Sequence, residues 1–222
     1  MEWDELPIYQ SAHLQLYQEY LQDLHDTDKL YKCYCPRRLV KGRPYPGTCR
    51  NQPQTDVDRH SLRVLVKGDP VIFKDMIQGK IQQDITRDSG DFIVVRSDQV
   101  FSYNLVAAID DAHGITHVIR GADLLDTTPK QVYLQNLLKI STPVYGHIPV
   151  AVNKDGKKLS KQHGAIDVLD EYTPAQALVR ALKFLGQPID NGLSQAPPDT
   201  IIQWALENWS LELIPKLASI QI

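Results

Sequence analysis

Phe101-Ser102-Tyr103-Asn104-Leu105-Val106-Ala107-Ala108-Ile109-Asp110-Asp111 and, after a short turn, Ile115-Thr116-His117-Val118-Ile119-Arg120-Gly121-Ala122-Asp123 decide the fold. The first run has helical spacing and would carry Tyr103, Ala107 and Asp110 on adjacent turns of one face. The tyrosine hydroxyl is placed to hold a polar ligand. Asp110 and Asp111 close the helix with two carboxylates, against the helix macrodipole. Such a pair is either kept for function or relieved by solvent. The second run is a buried strand with Arg120 at its C-terminal end. In open parallel α/β sheets, ligands bind beyond those ends. An arginine there either forks a substrate carboxylate or pairs with the nearby Asp123. Thr128-Pro129-Lys130 then opens another helix, with Thr128 as N-cap, Pro129 in the first position, and Val132, Leu134, Leu137 and Leu138 facing inward.

Downstream, Lys157-Lys158-Leu159-Ser160-Lys161-Gln162 lies between Gly156 and Gly164. Lysines around a small hydroxyl, with glycines to let the backbone swing, have the makeup of a mobile phosphate-binding loop. In a pyrophosphate-releasing reaction such a loop stabilises charge on the leaving group. The alternative is a solvated basic turn, since Asn153-Lys154-Asp155-Gly156 is turn-forming. Beyond it, Thr173-Pro174-Ala175 opens a helix through Leu185, with Gly186 closing it. A last helix is expected over about Thr200–Trp209. Trp204, Leu206, Trp209, Leu211 and Leu213 read as core.

Upstream, Ser11 is placed to N-cap a helix running to about Asp26. Leu14, Leu16, Tyr17, Tyr20, Leu21 and Leu24 form its apolar stripe, and Gln15, Gln18, Glu19 and Gln22 its outer face. All three cysteines follow: Cys33 and Cys35 as C-x-C, then Cys49 after Arg43-Pro44-Tyr45-Pro46-Gly47. Clustered thiolates without a secretory context point to zinc rather than a disulfide. The fourth donor is open between Tyr45, a histidine such as His60, and water; a knot of free thiols is the alternative to metal. Arg37, Arg38, Lys41, Arg43 and Arg50 make this the most basic stretch, either a phosphate-backbone contact or a solvated face. After a polar linker near Asn51–Arg59, four short strands are expected at Leu62–Val66, Val71–Asp75, Lys80–Asp84 and Asp91–Arg96. Together they would make a small inserted sheet.

With 222 residues, 42% hydrophobic and 23% charged, the chain is long enough for a real core and ordinary in composition. A formal net charge of −3 means that any nucleic-acid contact must use a local basic patch. No apolar run reaches membrane-spanning length. The opening Met1-Glu2-Trp3-Asp4-Glu5 lacks the apolar centre of a signal peptide. The cytoplasm is the expected compartment.

The run from Tyr103 to Leu138, followed by His147-Ile148-Pro149-Val150-Ala151-Val152-Asn153-Lys154-Asp155-Gly156 and the Lys158-Leu159-Ser160-Lys161-Gln162 loop, resembles the catalytic core of class I glutamyl-tRNA synthetases. Tyr9-Gln10-Ser11, Cys33-Tyr34-Cys35, Tyr45-Pro46-Gly47-Thr48-Cys49-Arg50 and Val118–Leu125 are similar to the small paralogous group without an anticodon-binding domain, the glutamyl-Q tRNA(Asp) synthetases. The resemblance covers nearly the whole chain. It implies a partial class I, Rossmann-like α/β catalytic domain with an inserted zinc-bearing α+β subdomain and a C-terminal helical segment. The corresponding division is residues 1–100, 101–165 and 166–222. It also implies Zn2+ on Cys33, Cys35, Tyr45 and Cys49. Glutamate falls to Tyr103 and Arg120. ATP falls to Lys161, with Lys158, Ser160 and Lys161 as the catalytic loop residues and Mg2+ accompanying the nucleotide.

The implied activity is ATP-dependent activation of glutamate and its transfer to queuosine in tRNA(Asp), by a protein that is monomeric when complete. The alternatives are a fragment of an ordinary glutamyl-tRNA synthetase, or a non-catalytic zinc-bearing RNA-binding remnant. Three departures accompany the likeness. Asp111–Gly114 is one residue shorter than the family form. Gln162 stands where many synthetases have serine. The HIGH-type motif that opens the family's first nucleotide-binding half is not found, and His113-Gly114-Ile115-Thr116-His117 imitates it poorly and in another place. A chain without that half is expected to bind ATP weakly, to form no glutamyl-adenylate, and to leave an apolar sheet edge open at the strands Val118–Arg120 and Pro149–Asn153.

Overall fold

A computed structural model of the chain describes residues 6–40, 44–52, 59–159 and 168–222. They divide into two compact units. The first consists of Met1–Phe73, Gln82–Thr116 and Thr127–Pro143; the second of Lys74–Ile81, His117–Asp126 and Val144–Ile222.

In the first unit, α1 (Leu14–Asp26) follows a 3-10 turn at Gln10–Ala12, and its N-cap is His13 rather than Ser11. The turn ties His13 N–H to the Gln10 carbonyl, which shifts the helix start past the serine. Tyr17 and Leu24 carry the buried face of α1, and Leu14 at its first turn stays exposed. The small sheet differs from the expected one. It consists of β1 (Leu30–Cys33), β2 (Ser61–Val64) and β5 (Ile93–Val95), in the order β1-β2-β5. Both pairings are antiparallel, with Leu30 opposite Val64, Cys33 opposite Ser61 and Leu62 opposite Val95. β3 (Val71–Asp75) and β4 (Gly79–Gln83) pair only with each other among the described strands. A one-turn helix, α2 (Ile85–Asp88), capped by the Asp84 carboxylate, separates them from β5.

α3 (Tyr103–Ala112) forms in the run read as helical, with Ser102 as N-cap accepting from the Leu105 N–H. It packs on α4 (Thr128–Leu138), and α1 packs against both. α4 continues directly from a 3-10 segment at Ala122–Thr127, so its N-cap is Thr127 and Pro129 falls one position further in than expected. Besides Val132 and Leu134, the inward face of α4 carries Gln131 and Gln135, both fully buried. The Gln135 amide donates to the Ala108 carbonyl of α3 at 3.3 Å. Asp110, the carboxylate at the unfavourable end of α3, accepts from the Tyr17 hydroxyl at 2.6 Å and the Gln10 amide at 2.8 Å. It thereby ties α3 to Tyr17 of α1 and to Gln10 of the turn before it.

In the second unit, β6 (His117–Gly121) and β7 (Val144–Ile148) are parallel, with Arg120 in register with His147. Parallel neighbours need a crossover between them, and the chain between these two includes α4. β8 (Val150–Val152) pairs in parallel with β9 (Ser219–Gln221) near the C-terminus. α5 (Val168–Glu171), α6 (Pro174–Phe184) and α7 (Pro198–Asn208) make the helical segment. Thr173 and Gln176 form a full capping box on α6.

The core between α6 and α7 is Val179, Leu182, Ile189 and Ile201, with Trp204 and Ala205 against it. Ile201, Trp204 and Ala205 follow i, i+3, i+4 spacing. Leu206 lies off that stripe and is 74% exposed. Trp209 and Leu213, also expected in the core, are 45% and 46% exposed because Ile214 is the tail residue that turns inward.

Candidate functional site

The first unit gathers the three thiols. Among the described residues, Cys33, Cys35 and Cys49 are the one set of His, Cys, Asp or Glu donors arranged for a metal ion, with all three sulfurs within 4.8 Å of one another. Cys35 and Cys49 sulfurs are 3.5 Å apart. The Tyr45 hydroxyl lies 3.4 Å from Cys33 Sγ and 3.6 Å from Cys35 Sγ, and accepts from the Cys49 N–H at 3.0 Å. Tetrahedral donors around zinc, at its usual bond lengths to sulfur and oxygen, stand about 3.5–3.8 Å from one another. The three thiols and the phenol oxygen thus have the chemistry and spacing of a zinc ligand set. His60, the other candidate for fourth donor, sets its ring at a tilt of 57° against Tyr34, with centroids 5.9 Å apart.

Without a metal, burial and the neighbouring thiols push the Cys35 thiol up to about 11. Burial also pushes Cys49 up. Hydrogen bonds from Tyr45 and the Tyr34 backbone outweigh this and leave it below an ordinary thiol. Burial, with hydrogen bonds to the thiols, pushes the Tyr45 phenol far up.

The frame around this knot centres on Asp91, whose side chain is wholly buried. Its carboxylate accepts from Arg50 Nε and Nη2 at 2.6 and 2.7 Å, from the Tyr31 hydroxyl, and from the Val66 N–H at 2.8 Å. Burial pushes the Asp91 carboxyl up, but Arg50 and the other donors prevail and hold it below the usual range. Arg63, also buried, donates to the Asp91 carbonyl at 2.6 Å and lays its guanidinium 3.8 Å over the Tyr45 ring. Arg50, read as part of a basic patch, is thus paired with a buried carboxylate while its side chain stays 32% exposed. Lys41, Arg43 and the Arg37 side chain lie outside the described residues, and Arg38 is exposed.

The two residues expected to contact glutamate fall in different units. Tyr103 is the first residue of α3, 54% exposed. Arg120 is on β6, where its Nε donates to His147 Nε2 at 3.1 Å and its guanidinium stands 5.2 Å from the Tyr145 ring. His147 Nδ1 is 2.6 Å from the Asp75 carboxylate, both side chains fully buried. Burial pushes the Asp75 carboxyl up, yet His147 and three backbone N–H groups bring it below its ordinary value. Sequence reasoning does not single out Asp75 or His147. The available signal is a histidine within the apolar run Tyr145-Gly146-His147-Ile148, which needs a buried polar partner.

Of the lysine loop, Lys158 is described and Ser160, Lys161 and Gln162 lie outside the described residues. Lys158 Nζ pairs with Asp123 at 2.5 Å on a partly exposed surface. Asp123, considered as a partner for Arg120, therefore takes up a loop lysine. The turn before it is as expected: the Asn153 side-chain oxygen accepts from Asp155 and Lys157 N–H, and Gly156 closes it.

Residues 1–196 match the family model of tRNA synthetases class I (E and Q), catalytic domain. The chain belongs to that family, one of aminoacyl-tRNA synthetase-like ligases. Within it, the chain is 41% identical to the glutamyl-Q tRNA(Asp) synthetase of Aromatoleum aromaticum, over 97% of the chain and 70% of that relative. It is 38% identical to the glutamyl-Q tRNA(Asp) synthetase of Pseudomonas syringae pv. syringae, over 99% of the chain and 75% of the relative. The fold matches a crystal structure of a glutamate-tRNA synthetase from Elizabethkingia anophelis with a TM-score of 0.73 at 21% identity, over 98% of this chain. The chain spans about half (52%) of that longer structure. This mixed α/β architecture is that of a class I synthetase catalytic domain. No helix among the described residues is long and apolar enough to cross a membrane.

Proposed function

We propose that the protein activates glutamate with ATP and transfers it to the queuosine base of tRNA(Asp). The glutamate carboxylate attacks the α-phosphorus of ATP and pyrophosphate leaves. A nucleophile on the queuosine base then attacks the glutamyl carbonyl and AMP leaves. The observation that carries this reading is the 41% and 38% identity to glutamyl-Q tRNA(Asp) synthetases over nearly the whole chain. In this reading Tyr103 and Arg120 bind glutamate. Lys158, Ser160 and Lys161 face the ATP phosphates, Lys161 foremost, and Mg2+ comes with the nucleotide. Chemistry of this kind rests on positioning and charge stabilisation rather than covalent catalysis. Zn2+ sits on Cys33, Cys35, Tyr45 and Cys49, where it closes the loop between the C-x-C pair and Cys49 and holds the sheet edge at β1. The compartment is the cytoplasm and the complete protein is a monomer.

The test is glutamate-dependent ATP–pyrophosphate exchange, followed by glutamylation of tRNA(Asp) with and without queuosine. Exchange with transfer only to the queuosine-bearing tRNA is expected of the complete protein, and little or no exchange of a chain without the HIGH-type half. Transfer to a tRNA 3′ end would instead identify an ordinary glutamyl-tRNA synthetase. Zinc and RNA binding without exchange would identify a non-catalytic remnant.

A further inference from the structure

Asp75 and His147 have side chains fully out of solvent. A buried carboxylate is costly unless donors surround it, and Asp75 is surrounded. Its Oδ1 accepts the backbone N–H groups of Ile77 at 2.9 Å, Gln78 at 2.8 Å and His147 at 3.1 Å. Its Oδ2 faces His147 Nδ1 at 2.6 Å. An ionised carboxylate only accepts, so Nδ1 carries the proton. On the other side of the ring, Arg120 Nε–H meets His147 Nε2 at 3.1 Å. A guanidinium only donates and stays charged, so Nε2 must offer its lone pair. Both contacts demand the same neutral tautomer, with the hydrogen on Nδ1. The ring is also stacked on Tyr145, with centroids 6.1 Å apart and planes 20° from parallel. Arg120 and His147 are opposite each other in the β6–β7 register.

We infer that Asp75 and His147 are positioning residues for Arg120. Asp75 fixes the tautomer and orientation of the imidazole, and Nε2 then holds the Nε edge of the guanidinium. A substrate carboxylate then meets a guanidinium whose orientation is already set. Fork-on-carboxylate recognition depends on that orientation, and supporting partners of this kind set it. The inference rests on the proposed role of Arg120 at the glutamate carboxylate. Asp75→Asn preserves the shape and removes the rule. Its carboxamide can donate to Nδ1, which moves the imidazole hydrogen to Nε2. Two donors then face each other between His147 and Arg120, and the guanidinium must turn.

The experiment uses the full chain as wild type, Asp75→Asn, His147→Gln, His147→Phe and Arg120→Ala, each checked for cooperative thermal unfolding. Nitrogen-15 NMR of the imidazole reads the tautomer, and calorimetry reads glutamate and ATP affinity separately. Wild type should show a protonated Nδ1 and a bare Nε2, and Asp75→Asn should invert them. Asp75→Asn and His147→Phe should weaken glutamate about tenfold or more, the scale of a lost charge-assisted hydrogen bond, with ATP affinity unchanged. His147→Gln, whose amide oxygen can accept from Arg120 Nε–H, should recover most of the glutamate affinity. An Nε2–H tautomer in the wild type would overturn the inference. So would unchanged glutamate affinity in folded Asp75→Asn and His147→Phe when Arg120→Ala loses it. If Arg120→Ala itself leaves glutamate binding intact, the glutamate assignment of Arg120 fails and the positioning role fails with it, while the measured tautomer still decides the Asp75–His147–Arg120 geometry.

Discussion

Gly90→Ala should damage the proposed zinc site without touching a ligand. Gly90 has φ +63, a left-handed backbone that an alanine adopts at a cost of about 1–2 kcal/mol. A Cβ at this position would overlap the Tyr45 carbonyl oxygen and stand 3.0 Å from the Tyr45 nitrogen. Both are backbone atoms of the residue whose phenol faces the thiols, and Tyr45 N–H is bonded to the Ser89 carbonyl at 2.9 Å. Relief therefore moves Tyr45 away. Overpacking together with the lost hydrogen bond adds about 2–4 kcal/mol to the backbone strain. Gly156→Ala is the closer control: φ is +72 there, also left-handed, but nothing lies within 4 Å of the added Cβ. Urea unfolding of the two variants should differ by that added amount, and zinc retention against a chelator should fall only in Gly90→Ala. Equal stability losses, or full zinc retention by Gly90→Ala, would refute the argument that close packing of Tyr45 on Gly90 builds the site.

Chelation of zinc, or Cys33→Ser, should lower stability and release about one zinc per chain, checked by metal analysis; absence of zinc in the purified protein would remove the metal assignment. Arg120→Ala should weaken glutamate binding by roughly 1.5–3 kcal/mol, and Arg120→Lys should rescue it poorly because the fork is lost, both read by titration calorimetry. Stability should fall at alkaline pH. Burial and the acceptors Asp110 and Asp91 raise the Tyr17 and Tyr31 phenols above their unfolded value. Their contribution is full below about pH 10 and is lost as pH rises through that value, because only the unfolded chain then releases the protons. Tyr31→Phe should flatten that decline in unfolding experiments at increasing pH.

The parts of the fold that are legible in the sequence depend on neighbours a few residues apart. Helical spacing in Phe101–Asp111 places α3, and Thr173-Pro174-Ala175 places the start of α6. The C-x-C pair, Tyr45 and Cys49 sit close enough along the chain for their shared loop to be read directly. The start of α1 is harder to place, because a serine is a common cap and nothing local shows the 3-10 turn that carries the helix past Ser11. β1 escapes the pattern because four residues, Leu30–Cys33, are too few to display a period, and their pairing with Ser61–Val64 is remote in sequence. Leu206, Trp209 and Leu213 read as inward on hydrophobicity alone, whereas Leu206 lies off the stripe of α7 that meets α6, and beyond the helix Ile214 takes the buried place.

The deeper illegibility concerns two aspartates. Asp75 ends an apolar strand and Asp91 precedes one, and on hydropathy each looks like the polar boundary of a strand. In the structure each is a buried charge that fixes a residue next to a candidate site. Asp91 locks Arg50, the neighbour of Cys49, and also ties down the Val66 N–H and, through its carbonyl, the Arg63 that covers Tyr45. Asp75 locks His147, which holds Arg120. Their partners are 41 and 72 residues away in the chain, so no local pattern encodes them. A buried carboxylate tolerates few arrangements of its donors, because one left unpaired costs far more than an apolar side chain in the same place. Groups that must meet a metal or a substrate carboxylate at fixed geometry gain from that intolerance, since the contacts holding them cannot relax without destabilising the unit around them.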